Sequence, residues 1–349
     1  MNLLENKSRI YYYDMLRAFA IFCVISCHVF APLVIDTRIF NTNLWYYSMI
    51  MNSLRDIGVP LFVMISGALL ITKKESALTF IKKRINKVII PYLFWVFAFI
   101  ILGHYFLGLG KLHKLIIKTL SLNPDGAGVF FWFVPMILTV YLIILIINKI
   151  HEKNEKILPI TLILSLIIII PLNCGLSITK PLQYILYIIY AILGYYLSKI
   201  DLNTKSKILP VIFIIISIGL FLLEIYINST TSISLNKQFS ISQFSIINIC
   251  CVTSVFLSFK TYSNITNDFN KIKKHLTGKI IYSISICSYG IYLSHVIIMR
   301  SLVKISNTYK NDMNMGLYIT IILILTTIIS WLLILGLSKI PVLKKISGV

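Results

Sequence analysis

The chain has 349 residues, 58% of them hydrophobic and only 13% charged, with a mean hydropathy of +0.87. A soluble protein of this length carries about twice that share of charge, so the composition excludes a soluble globular enzyme and implies a polytopic membrane protein. The 33 Lys and Arg against 12 Asp and Glu give a net charge of +21, but they fall mostly in alternate loops, and no soluble basic domain exists to bind nucleic acid.

In chain order, apolar runs of spanning length lie at roughly 12–34, 46–72, 88–107, 129–148, 157–173, 181–198, 208–227, 240–259, 280–299 and 316–338. That pattern predicts an all-α membrane protein of about ten transmembrane helices. Lys7 and Arg9 precede the first run, yet Asp14 and Arg17 interrupt it and no small-residue cleavage site follows, which predicts an uncleaved helix. The amino terminus and the loops near 73–87, 149–156, 199–207, 260–279 and 339–349 hold 22 Lys and Arg, and the opposite loops hold nine. The asymmetry predicts that both termini are cytoplasmic. No loop exceeds about 25 residues, too few for a separate domain, so residues 1–349 are expected to form one integral-membrane domain. The six cysteines (23, 27, 174, 250, 251 and 287) lie mainly in apolar runs without metal-ligand spacing and read as small core residues.

The first run, Tyr11 to Leu33, carries Asp14, Arg17 and His28. A charge in hydrocarbon costs about 2.5–3.5 kcal/mol or more unless paired or hydrated, which makes these residues functional candidates. Arg17 and His28 are eleven positions apart, about 20° in rotation and ~16 Å in rise, so they share one face at two depths. Asp14 lies one turn before Arg17 and can pair with it. The competing reading is a snorkelling arginine with an acidic partner and a helix-contact histidine. Given the predicted orientation, His28, Arg55 with Asp56, Trp132 and His295 all fall in the outer half of the bilayer, although depth says nothing about rotation. His104, His113, His151 and His275 fall in loops or at interfaces and receive no role. No two histidines share a helical turn with a carboxylate, so no metal is expected.

An Arg, ten residues and a His on the first helix, preceded by Asp14-Met15-Leu16-Arg17, resembles the membrane acyltransferase-3 family. Further matching stretches follow in family order: Gly58-Val59-Pro60-Leu61-Phe62 through Gly67, the run Lys82-Lys83-Arg84-Ile85-Asn86-Lys87 before Pro91-Tyr92, Trp132-Phe133, and Ser288-Tyr289-Gly290-Ile291-Tyr292-Leu293-Ser294-His295. The resemblance implies a multi-pass enzyme of the bacterial cytoplasmic (inner) membrane that moves an acetyl group from cytosolic acetyl-CoA to a hydroxyl of a cell-surface glycan or its lipid-linked precursor. His28 would act as general base or as transient acyl carrier, with Arg17 and Asp14 supporting it. Arg84 and Lys87, with Arg17, would hold the coenzyme. The family has two arginines where this chain has Arg84 and Lys87, and lysine lacks the bidentate fork. The same run also reads as a positive-inside anchor against anionic lipid. Arg55, Asp56, Trp132, Tyr292 and His295 would meet the acceptor, though aromatics at an interface are also ordinary anchors and His295 also fits a helix contact. The rival function is a transporter exporting a glycan or acylated intermediate.

Overall fold

The computed structural model describes residues 10–108, 111, 113–114, 116–117, 128–173, 179–202, 207–235, 243–265, 275–306 and 314–349, and every regular element among them is helical. The helices are α1 (Tyr11–Val34), α2 (Asn43–Ser53), α3 (Arg55–Leu70), α4 (Ala77–Arg84), α5 (Ile90–Tyr105), α6 (Gly128–Phe131), α7 (Phe133–His151), α8 (Ile157–Asn173), α9 (Lys180–Leu186), α10 (Ile188–Lys199), α11 (Ile208–Leu235), α12 (Ile246–Ile265), α13 (Leu276–Ile305), α14 (Met315–Lys339) and α15 (Pro341–Ser347). Several combine into single spans: α2 with α3, α4 with α5 through a π-helical turn at Ile85–Ile89, and α9 with α10. Among the described residues nine helices are long and apolar enough to cross a bilayer. The tenth expected span, α8, has 17 residues, about 25 Å at 1.5 Å per residue against a hydrocarbon core of about 30 Å. The chain is an all-α polytopic membrane protein.

Helix α1 is the hub, packing against α2, α3, α12, α13 and α14. Its Leu16, Ala20, Ile25 and Phe30 have no accessible surface, as expected of a helix that is apolar on nearly all sides. Helices α8 and α11 are peripheral and turn Ile163, Ile167, Ile212 and Ile215 outward, the pattern of a lipid-facing surface. Between bundled helices, where lipid is as apolar as leucine, close backbone approach supplies the contact. Gly67 and Gly194 show it: a Cβ on Gly67 would lie 1.9 Å from the Ala191 carbonyl oxygen, and one on Gly194 would lie 2.1 Å from that of Met64. Only glycine lets α3 and α10 lie this close.

Two boundaries differ from the sequence expectation in ways that bear on the site. Helix α13 starts at Leu276 and runs to Ile305, so Arg300 belongs to a helix rather than a loop; its guanidinium lies 5.1 Å from the Phe130 ring centroid and 5.5 Å from that of Phe99. Lys260, counted above with a loop, is buried on α12, and its ammonium donates to the carbonyls of Leu197, Ser198 and Ile200 at 2.7, 2.9 and 2.6 Å. The last turn of α10 leaves these acceptors unpaired within the helix, and a cation there also meets the negative end of the helix dipole.

Candidate active site

Helix α3 is interrupted chemically by Pro60, which has no N–H to give the carbonyl four residues back. That carbonyl belongs to Asp56, and Asn248 of α12 takes the vacant position, its Nδ2 donating to it at 2.9 Å. The Asp56 carboxylate accepts from Arg55 Nε at 3.1 Å and from Gln243 Nε2 at 2.8 Å. Tyr190 ties this cluster to α10, donating to the Gln243 carbonyl and accepting from Asn248 at 3.3 Å. Asp56 is buried and Arg55 half-buried, so the pair is a held ion pair that leaves the guanidinium facing a cavity.

That cavity, about 1110 Å³, is lined by residues of α1, α3, α7, α13 and α15 among others. Arg17, His28, Arg55, Arg84, Lys87, Trp132 and Tyr292, seven of the site residues expected from sequence, line it together. The other three stand directly behind. Asp14, wholly buried, accepts from Ser285 of α13 at 2.6 Å and lies 3.6 Å from Arg17. Asp56 backs Arg55, and His295 backs His28.

The two histidine rings lie 5.1 Å apart between centroids at an interplanar angle of 31°. His295 has no accessible surface; its Nδ1 sits 2.5 Å from the Tyr292 carbonyl oxygen and so carries the proton. The same tautomer leaves Nε2 bare, and that atom is buried without a hydrogen-bond partner among the described residues. Phe130 closes the other side of His28 edge-on, with centroids 5.1 Å apart. Tyr292 donates to the Phe130 carbonyl at 2.7 Å, which fixes that short helix against α13. Trp132, in the turn between α6 and α7, stacks with Tyr184 at 6.4 Å and 22°.

At its other end the cavity is basic. Arg84 lies over the Phe80 and Tyr141 rings, at 4.9 and 5.1 Å. Glu75 organises the neighbouring cations, lying 2.5 Å from Lys83, 3.8 Å from Lys73 and 3.9 Å from Arg84. The Lys83 hydrogen bond, then the charges of Lys73, Lys83 and Arg84, hold the Glu75 carboxyl below its ordinary range. Lys344 and Lys345 of α15 also line the cavity, and Tyr289, which meets Gly348 just past that helix, donates to the Val88 carbonyl beside Lys87 at 2.8 Å.

Sequence reasoning missed Ser285, Gln243, Asn248, Lys344 and Lys345. It also missed Glu224, buried on α11 with Oε1 lacking a partner among the described residues. Glu224 alone carried a readable signal, being a carboxylate inside an otherwise apolar span.

An ionisable cavity enclosed by spanning helices marks a membrane protein that works on polar chemistry within the bilayer. Residues 10–335 match the acyltransferase domain family, and the chain belongs to this family of membrane acyltransferases. Comparison with curated proteins and with solved structures finds no match.

Proposed function

We propose that the protein is a multi-pass O-acetyltransferase of a bacterial inner membrane, taking acetyl from cytosolic acetyl-CoA and placing it on a hydroxyl of a cell-surface glycan or its lipid-linked precursor. The observation that carries this reading is the single cavity lined by Arg84 and Lys87 at one end and by His28 and Arg55 farther in. A donor that is a polyanion at one extremity and a thioester at the other fits such a cavity, with its phosphates on the basic residues and its acetyl group near the histidine.

In this reading His28 accepts the proton of the acceptor hydroxyl as its oxygen attacks the thioester carbonyl. The C–S bond breaks as the tetrahedral intermediate collapses, and the imidazolium returns the proton to the departing thiolate. Arg55 and Arg17 face the cavity as cations that can meet negative charge developing on the thioester oxygen or carried by the donor. His295, with its proton committed to the Tyr292 carbonyl, packs against His28 and limits its ring orientation. The aromatic wall of Trp132 and Tyr292 offers faces on which a sugar ring can stack. An acetyl-histidine intermediate would use the same groups, with His28 attacking first.

The test is His28→Ala. An apolar replacement is cheaper in a membrane than imidazole, so abundance and insertion should persist. Transfer of labelled acetyl from acetyl-CoA to glycan should fall by about 10²-fold or more, the usual contribution of a positioned acid–base group. A well-expressed variant that acetylates at near the normal rate refutes the mechanism. Loss of glycan export with acetylation intact would point to transport instead.

A further inference from the structure

The short helix α15 lies beyond the family-matched residues, which end at 335, yet it forms part of the cavity wall. It is seated at defined points. Trp95 Nε1 of α5 donates to the Ile346 carbonyl at 3.1 Å. Ser347 has no accessible surface and rests on Gly290 of α13, where an added Cβ would lie 2.1 Å from the Ser347 carbonyl oxygen. Gly348 ends the helix in the left-handed region at φ 81°, a conformation that favours glycine. Gly290 belongs to the Ser288–Tyr292 stretch whose Tyr292 borders the histidine pair. Its lack of a side chain lets α15 dock, and docking presents Lys344 and Lys345 to the cavity that Arg84 and Lys87 also line.

We infer that Lys344 and Lys345 complete the phosphate-binding site for the acyl donor, with α15 forming part of its wall. The inference rests on the donor being a coenzyme A thioester, as proposed above. Such a donor carries a pyrophosphate and a 3′-phosphate, the latter alone worth about −1.5 to −2 charges at pH 7. Arg84 and Lys87 by themselves match only part of that charge, and Arg84 shares its charge with Glu75. Two further ammonium groups on a separate helix bring the cation count closer to the phosphate charge. Ammonium groups on flexible stems follow phosphates as point charges without demanding planar geometry.

The experiment uses the full chain, purified in nanodiscs, with calorimetric titration of coenzyme A and of pantetheine, its phosphate-free portion. Lys344→Ala/Lys345→Ala should weaken coenzyme A binding about tenfold or more, the loss of at least one charge-assisted contact. Pantetheine binding and the melting temperature should not change, and Lys344→Arg/Lys345→Arg should restore coenzyme A affinity. Should the alanine pair fold poorly, Lys344→Gln/Lys345→Gln carries the same expectation. Unchanged coenzyme A affinity in a folded variant overturns the role of the lysines while leaving the transferase reading intact. Equal weakening of both ligands also overturns it, since that is what mere displacement of α15 would produce. A wild-type protein that binds no coenzyme A overturns the donor assignment and this inference with it.

Discussion

Asp14 and Arg17 stand one turn apart on α1, but the shorter contact of the carboxylate is to Ser285 on α13, at 2.6 Å against 3.6 Å to Arg17. The Arg17 contact is an ion pair rather than a direct hydrogen bond. Asp14 therefore joins two helices while it balances a cation that lines the cavity, where the guanidinium can meet a ligand's negative charge. Glu75 plays the corresponding part at the basic end, where it draws Lys73, Lys83 and Arg84 together from a loop. Its carboxyl ionises below the ordinary value of 4.5, first because Lys83 donates to it and then because of the surrounding cations. A carboxyl with a lowered folded-state pKa stabilises the fold fully above its unfolded pKa and loses that contribution as pH falls through the folded pKa. Wild type should thus melt above Glu75→Gln at neutral pH, and the gap should shrink as pH drops below about 4.5. A gap that stays constant from pH ~7 down to pH ~3.5 would mean that the charge on Glu75 contributes nothing.

Among the elements, α3 is the one whose irregularity builds chemistry. Pro60 frees the Asp56 carbonyl, Asn248 on α12 satisfies it, and the side chain of the same aspartate holds Arg55 toward the cavity. A buried acceptor left unsatisfied costs about 1–3 kcal/mol, so Asn248→Ala should destabilise the protein by that amount. In a Pro60→Ala background the residue at 60 regains an N–H that can reach the Asp56 carbonyl within the helix. The cost of Asn248→Ala should then shrink markedly, which a double-mutant cycle on thermal or denaturant unfolding would read directly. Additive costs would show that Asn248 matters through its other contacts, to Tyr190 and the Gln243 carbonyl. The proline was visible in the sequence, as was the Arg55–Asp56 pair. Their partners were not, since Asn248 and Gln243 lie 192 and 187 positions away, one on α12 and the other in the turn before it, and no local pattern specifies how that helix is rotated. Ser285 was hidden for the same reason, as one hydroxyl among several on α13.

For the whole molecule, the apolar runs and the shared face of Arg17 and His28 were legible because both depend only on helix geometry and span length. The gathering of Arg84, Lys87, Trp132 and Tyr292 around one cavity was legible only as an ordered set of motifs, and Arg55 only as a charge at the depth of His28, since convergence is a tertiary fact. Lys344 and Lys345 enter the sequence reading only in the basic count over 339–349, and only the docking of α15 places them at the cavity. Sidedness turns on α8. With nine full-length spans the termini would lie on opposite faces; with α8 crossing as well they share one, as the basic residues predict. At about 25 Å this helix can cross where the bilayer thins or where flanking residues snorkel, at a cost of a fraction of a kcal/mol per Å of mismatch. Single cysteines in a cysteine-free background decide the matter with a membrane-impermeant reagent applied to spheroplasts. Asn41→Cys and Thr179→Cys, both exposed, should label from outside. Lys74→Cys, Asn154→Cys and Asp201→Cys, also exposed, should label only after permeabilisation. Labelling of positions 154 and 179 from the same side would show that α8 does not cross. It would set Arg84, before α8, and Lys344, after it, on opposite faces, against the one cavity that both line. The two could then no longer hold one polyanion at a single cytosolic entrance, so this labelling pattern bears on the donor site as directly as on topology.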